Sequence, residues 1–96
     1  MLTGKQKSYL RSLANTMDPI IQIGKGGISP TVLNQINETL EARELIKVRV
    51  LQNSSEDPEE AAEQIAQELG AEVVHVLGRN MIFYRSSQKK PVIELP

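Results

Sequence analysis

Ninety-six residues are one domain's worth of chain, enough to bury a modest core without staples. The absence of cysteine excludes disulfides and thiolate metal sites and makes a reducing cytoplasm the expected setting. The formal net charge of −1 is unevenly spread: residues 1–53 carry seven Lys/Arg against four Asp/Glu, residues 54–96 four against eight, so a basic face can coexist with an acidic one.

Thr3 with Gln6 forms a capping box, and Leu10, Leu13, Ala14 and Met17 recur at helical spacing, which predicts a helix over 3–16. Lys7 and Arg11 lie one turn apart beside that stripe, with Lys5 on another flank. Asp18-Pro19 ends the helix, because the residue before proline is pushed out of the helical region. A strand is expected at 20–23. It runs into Gly24-Lys25-Gly26-Gly27, after which Ser29 as N-cap and Pro30 at the first position open a helix over 30–43. Leu33, Ile36 and Leu40 give that helix its apolar face.

Ile46, Val48 and Val50 then alternate with Lys47 and Arg49, the pattern of a strand with one face on the core and a basic face in water. Asn53-Ser54-Ser55-Glu56 reads as a polar connection. Asp57-Pro58-Glu59-Glu60 starts a third helix, with Ala61, Ala62, Ile65, Ala66 and Leu69 inward and Gly70 as C-terminal cap. Val73–Leu77 and Met81–Tyr84 flank Gly78-Arg79-Asn80 and should pair as an antiparallel hairpin across a three-residue connection. From Ser86 periodicity is lost, so a domain over 1–85 and a mobile or loosely docked tail over 86–96 are expected. The fold class is α/β: an N-terminal helix followed by β-α-β-α-β-β, giving a four-stranded mixed sheet layered with helices.

The glycine loop carries the chemistry. Three glycines in four residues let backbone N–H groups converge at the positive end of the following helix, a setting that suits an anion. A P-loop needs four residues between its first glycine and Gly-Lys-Ser/Thr, and a dinucleotide fingerprint needs a glycine where Ser29 stands; neither fits. What remains is Gly-x-x-Gly with a lysine inside, the loop type that clamps a nucleic-acid backbone in KH modules. A tight turn with an incidental surface lysine is the plainer alternative.

Other classes find less support. His75 sits in an apolar strand, where a core or edge histidine is the simpler explanation, and no nucleophile–base pair or metal cluster follows from spacing. Glu59, Glu60, Glu63 and Glu68 are acids at a helix start and on its outer face, placed as the dipole favours. No catalytic residue, metal or cofactor is expected. No apolar run approaches the roughly 18 residues of a membrane span, and the N-terminus lacks the apolar core of a signal peptide. Tyr9, Phe83 and Tyr84 are the aromatics, and the last two point to opposite faces of one strand, so no stacking platform is expected.

Taken together, Leu2-Thr3-Gly4-Lys5-Gln6 with Leu10-Arg11, Ile21-Gln22-Ile23-Gly24-Lys25-Gly26-Gly27, Glu44-Leu45-Ile46-Lys47-Val48 and Gly78-Arg79-Asn80 resemble the CRM domain, named for chloroplast RNA splicing and ribosome maturation. The likeness is to its stand-alone bacterial YhbY-like form and runs from residue 2 to about 85. It implies an RNA-binding module similar in fold to the C-terminal domain of translation initiation factor three. It also implies association with ribosomal RNA in precursors of the large subunit. The candidate RNA contacts are Gly24, Lys25, Gly26, Gly27, Lys5, Lys7, Arg11, Lys47, Arg49 and Arg79, in a protein expected to be monomeric. A protein-interaction module that docks its acidic helix on a ribosomal protein, or a small nucleotide-binding protein, are the competing expectations.

Overall fold

A computed structural model describes residues 2–96; Met1, where the expected domain begins, lies outside them. The order is α1 (Gly4–Ala14), β1 (Ile21–Ile23), α2 (Pro30–Arg43), β2 (Leu45–Val50), α3 (Pro58–Leu69), β3 (Glu72–Leu77) and β4 (Asn80–Tyr84). The expected element order holds throughout. Thr3 caps α1 in a full box, its hydroxyl accepting from Gln6 N–H while its own N–H donates to Gln6 Oε1. Ser29 and Asp57 accept from Val32 and Glu60 N–H at the starts of α2 and α3, each followed by proline.

The strands lie in the order β1-β2-β4-β3. β1 runs parallel to β2, while β4 is antiparallel to both β2 and β3. Ile21, Ile23, Ile46, Val48, Val50, Met81 and Phe83 cover one face and pack on Ile36 and Leu40 of α2 and Ala61, Ala62 and Ile65 of α3. Fully burying a side chain of the size of Phe83 contributes roughly 1.5–3 kcal/mol. The other face carries a smaller core, in which Leu10 and Ala14 of α1 meet Leu45, Val74, Ile82 and Tyr84. The sheet is thus sandwiched, with α1 as the helix on its second side. Leu13, expected inside, is 40% exposed, because the buried stripe follows Leu10 and Ala14.

One local feature, the hairpin loop, differs from expectation. The hairpin loop is two residues, Gly78-Arg79, since Asn80 already pairs with Leu77 in the ladder; Gly78 has φ 59 at the first central position, where such a turn needs glycine. The tail is docked. Ile93 and Leu95 pack on the smaller core, and Glu44, fully buried, accepts the N–H groups of Ser87 (2.7 Å), Val92 and Ile93 (both 2.8 Å). Glu41 takes the Ser87 hydroxyl and Gln88 N–H beside it. Hydrogen bonds to side chains from a distant helix end carry no periodicity, so lost periodicity is a poor sign of lost order.

Candidate nucleic-acid interface

The pairing register fixes which side chains share the α1 face of the sheet. Leu45 lies opposite Tyr84, Lys47 opposite Ile82, and Arg49 opposite Asn80, whose other neighbour is Leu77. Gln22 of β1 pairs with Arg49, so Gln22, Arg49, Asn80 and Leu77 form a row across all four strands. A bulge between Val73 and His75 breaks the alternation of β3 and brings His75 opposite Ile82 on this same face. α1 covers the Leu45–Tyr84 end. The Arg49–Asn80 end is left open, with Arg49 exposed and Leu77 69% exposed.

The glycine loop leaves β1 at that open end, two residues beyond Gln22. Gly27 N–H donates to Gly24 O at 3.0 Å, closing the turn, and Gly27 takes φ 67, a conformation that favours glycine. Lys25 and Gly26 are exposed, and among the described residues neither main-chain N–H has a protein partner. The cradle is narrower than the sequence suggested. Ile28 N–H donates to Glu56 Oε2 at 3.3 Å, and a Cβ on Gly27 would lie 2.6 Å from that oxygen. A carboxylate from the β2–α3 connection therefore occupies the α2 side of the loop. It is 28 residues distant in sequence and had no local signal.

The candidate cations divide into groups. Arg49 and Arg79 lie at the same sheet end as the loop; Arg79 O accepts Val50 N–H, while Leu51 N–H donates to Ile23 O, so the hairpin turn and the loop flank the end of β2. Arg11 and Lys47 meet in a cleft of about 500 Å³ between α1 and the sheet, with Ser12, Asn15, His75 and Asn80 among its walls. Lys47 is half-buried and donates to Met17 O at 2.8 Å, so it is not the freely solvated cation that strand alternation suggests. Lys5 and Lys7 are exposed on α1, across the sheet from α2, and line neither the loop nor the cleft. Asn15, His75 and Asn80 were not anticipated as site residues, because the cleft depends on register and on a bulge that the sequence does not announce. Among the described residues no cluster of His, Asp and Glu could hold a metal ion, and no helix is long and apolar enough to cross a membrane.

Comparisons place this geometry in a known family. The chain is 48% identical over its whole length to a Bacillus subtilis protein named Probable RNA-binding protein YqeI, all of which it covers. It is 34% identical to a Haemophilus influenzae protein named RNA-binding protein, with 99% of this chain and 95% of that one aligned. The solution structure of a hypothetical protein from Staphylococcus aureus matches with TM-score 0.83 and 55% identity over 100% of both chains. Residues 2–85 match the family model described as the CRS1/YhbY (CRM) domain, and the chain belongs to that family.

Proposed function

We propose that this protein binds RNA, and that its target is ribosomal RNA in large-subunit precursors. Membership of the CRM family and relatives named as RNA-binding proteins support the first part. The observation that carries the role of the loop is the exposed Lys25-Gly26 pair ahead of α2, at the sheet end that also carries Arg49 and Arg79. A phosphate there would meet main-chain N–H groups, the Lys25 ammonium and the positive end of a helix dipole. Arg49 and Arg79 would take the flanking phosphates, with Arg11 and Lys47 on the α1 face beyond them and Lys5 and Lys7 on its rim.

With no aromatic platform, recognition rests on the shape and charge of the backbone more than on base identity. The reading makes the protein a monomeric, cytoplasmic binding module rather than an enzyme. Replacing Lys25 and Gly26 together by aspartate should abolish RNA crosslinking and leave the thermal transition nearly unchanged. Crosslinking that survived would remove the loop from the mechanism. Sequencing the RNA attached to the unaltered protein in cell extract tests the ribosomal target.

A further inference from the structure

We infer that the cleft between α1 and the sheet seats a phosphate monoester, the terminal phosphate of an RNA strand whose interior phosphates lie at the glycine loop. This inference rests on the RNA-binding reading and adds to it a preference for phosphorylated strand ends. The first observation is the polar edge of α1. Ser8, Arg11, Ser12 and Asn15 recur at helical spacing beside the buried Leu10 and Ala14, and all four are exposed along a space of about 500 Å³. Across that space stand Lys47 and His75 of the sheet.

The second observation is charge. No carboxylate lines these walls, and α1 itself carries no Asp or Glu. Lys47 donates one N–H to Met17 O at 2.8 Å, which fixes its ammonium and leaves two N–H groups for a ligand. The side-chain oxygen of Asn80 is buried out of a ligand's reach, so it presents no lone pair to an anion. A phosphate monoester carries about −1.5 to −2 near neutral pH and three strong acceptor oxygens, whereas a phosphodiester carries a single charge. The glycine loop, with the Lys25 ammonium and main-chain N–H groups, suits the diester. The cleft, with Arg11 and Lys47 on facing walls and neutral donors on Ser8 and Asn15, suits the monoester.

The third is position. Lys47 lies two residues before Arg49 on one face of β2, Arg49 pairs with Gln22, and Gln22 precedes the glycine loop by two residues. A strand leaving the loop along this row reaches the cleft. Beyond Lys47 the face is covered, because Leu10 and Ala14 of α1 meet Leu45 and Tyr84 there. A chain end fits such a stop, and a chain that must continue does not.

The test measures the full-length protein's affinity for one short single-stranded RNA made with hydroxyl groups at both ends, with a 5′-phosphate or with a 3′-phosphate, at one salt concentration. A strand one nucleotide longer with hydroxyl ends controls for the added charge. One of the phosphorylated strands should bind roughly tenfold more tightly than either hydroxyl-ended strand, the scale of one charge-assisted pair of hydrogen bonds. Ser12→Phe, which fills the cleft from its exposed wall, should erase that gain while leaving hydroxyl-ended RNA bound as before. Arg11→Gln should bring the ratio of the two affinities close to one, whatever it does to each, with circular dichroism as the check on the folding of both variants. An excess of the matching nucleoside monophosphate should compete the gain away. Equal affinity of the unaltered protein for phosphorylated and hydroxyl-ended RNA would overturn the cleft as a phosphate seat and leave RNA binding through the loop standing. A gain that persisted in a folded Ser12→Phe protein, or in excess monophosphate, would also overturn it. A free monophosphate that bound more tightly than the phosphorylated RNA would give the cleft to a small nucleotide instead of a strand end, and binding to none of the strands would defeat both readings.

Discussion

Glu44 and Glu56 each offer a carboxylate to main-chain N–H groups of a distant segment, yet they differ in almost every physical respect. Glu44 is 0% exposed and gathers three N–H groups at 2.7–2.8 Å from a tail more than forty residues away. Glu56 is half-buried and reaches one N–H, that of Ile28, at 3.3 Å. Glu44 also takes φ 67, normally left to glycine, at the end of α2. Only a side chain with strong partners repays that strain. The first carboxylate is a permanent part of the fold, whereas the second is a weakly held anion where an RNA phosphate is proposed to sit.

The largest effect should come from the knot. Glu44→Ala leaves buried N–H groups without acceptors and should lower stability by about 3 kcal/mol, read as a drop in Tm and release of the tail to proteolysis. A loss below about 1 kcal/mol would mean the tail finds water as readily as it finds the carboxylate. Acid should act in the same direction. Burial tends to raise the Glu44 pKa, but the N–H groups of Ser87, Ile93 and Val92 outweigh it and hold the group below the ordinary glutamate value. Glu41 is lowered as well, first by the Ser87 hydroxyl. A depressed carboxylate binds fewer protons when folded, so its stabilisation is complete above the unfolded value and is lost as pH falls through the folded one. Stability should thus fall as pH drops below the ordinary glutamate value in the unaltered protein, and fall less over the same range in Glu44→Gln.

The contrast also marks where sequence reasoning reached and where it stopped. All seven elements were legible, because Thr3, Ser29 and Asp57 announce helix starts and Lys47 and Arg49 alternate with apolar neighbours. The glycine loop was legible as a local pattern. Its occupant was not, since Glu56 stands in an unremarkable polar connection and meets Ile28 only through the packing of α2 beside α3. Likewise Glu44 lay within a recognisable motif, but nothing in that motif tells that it anchors Ser87 and Ile93. Lys47 shows the same limit: alternation gave its face correctly, and only the path of the chain after α1 brings Met17 O to it.

Substitutions at the loop should produce smaller and more selective effects. Gly27→Ala forces a Cβ into the left-handed region and toward Glu56 Oε2, and should lower stability by about 1–2 kcal/mol. Gly26→Ala, with nothing within 4 Å of its Cβ position, should change stability by less than about 0.5 kcal/mol. Equal losses in chemical denaturation would show that neither the positive φ nor the nearby carboxylate matters.

Glu56→Gln should move the melting temperature least and be informative through binding. The glutamine oxygen can still accept from Ile28, so the fold keeps its contact, but the negative charge beside the proposed phosphate is gone. At a separation of a few ångströms near the surface, that charge opposes a phosphate by about 1 kcal/mol or more. RNA affinity at low salt should therefore rise roughly fivefold, and the gain should shrink as salt screens the repulsion. The same substitution at Glu44 should leave affinity alone while weakening the fold, because that carboxylate is enclosed by the tail. If Glu56→Gln bound RNA no better than the unaltered protein at any salt, the phosphate would have to lie beyond the reach of this charge. Glu56 would then be a second, looser structural anchor rather than a stand-in for the ligand.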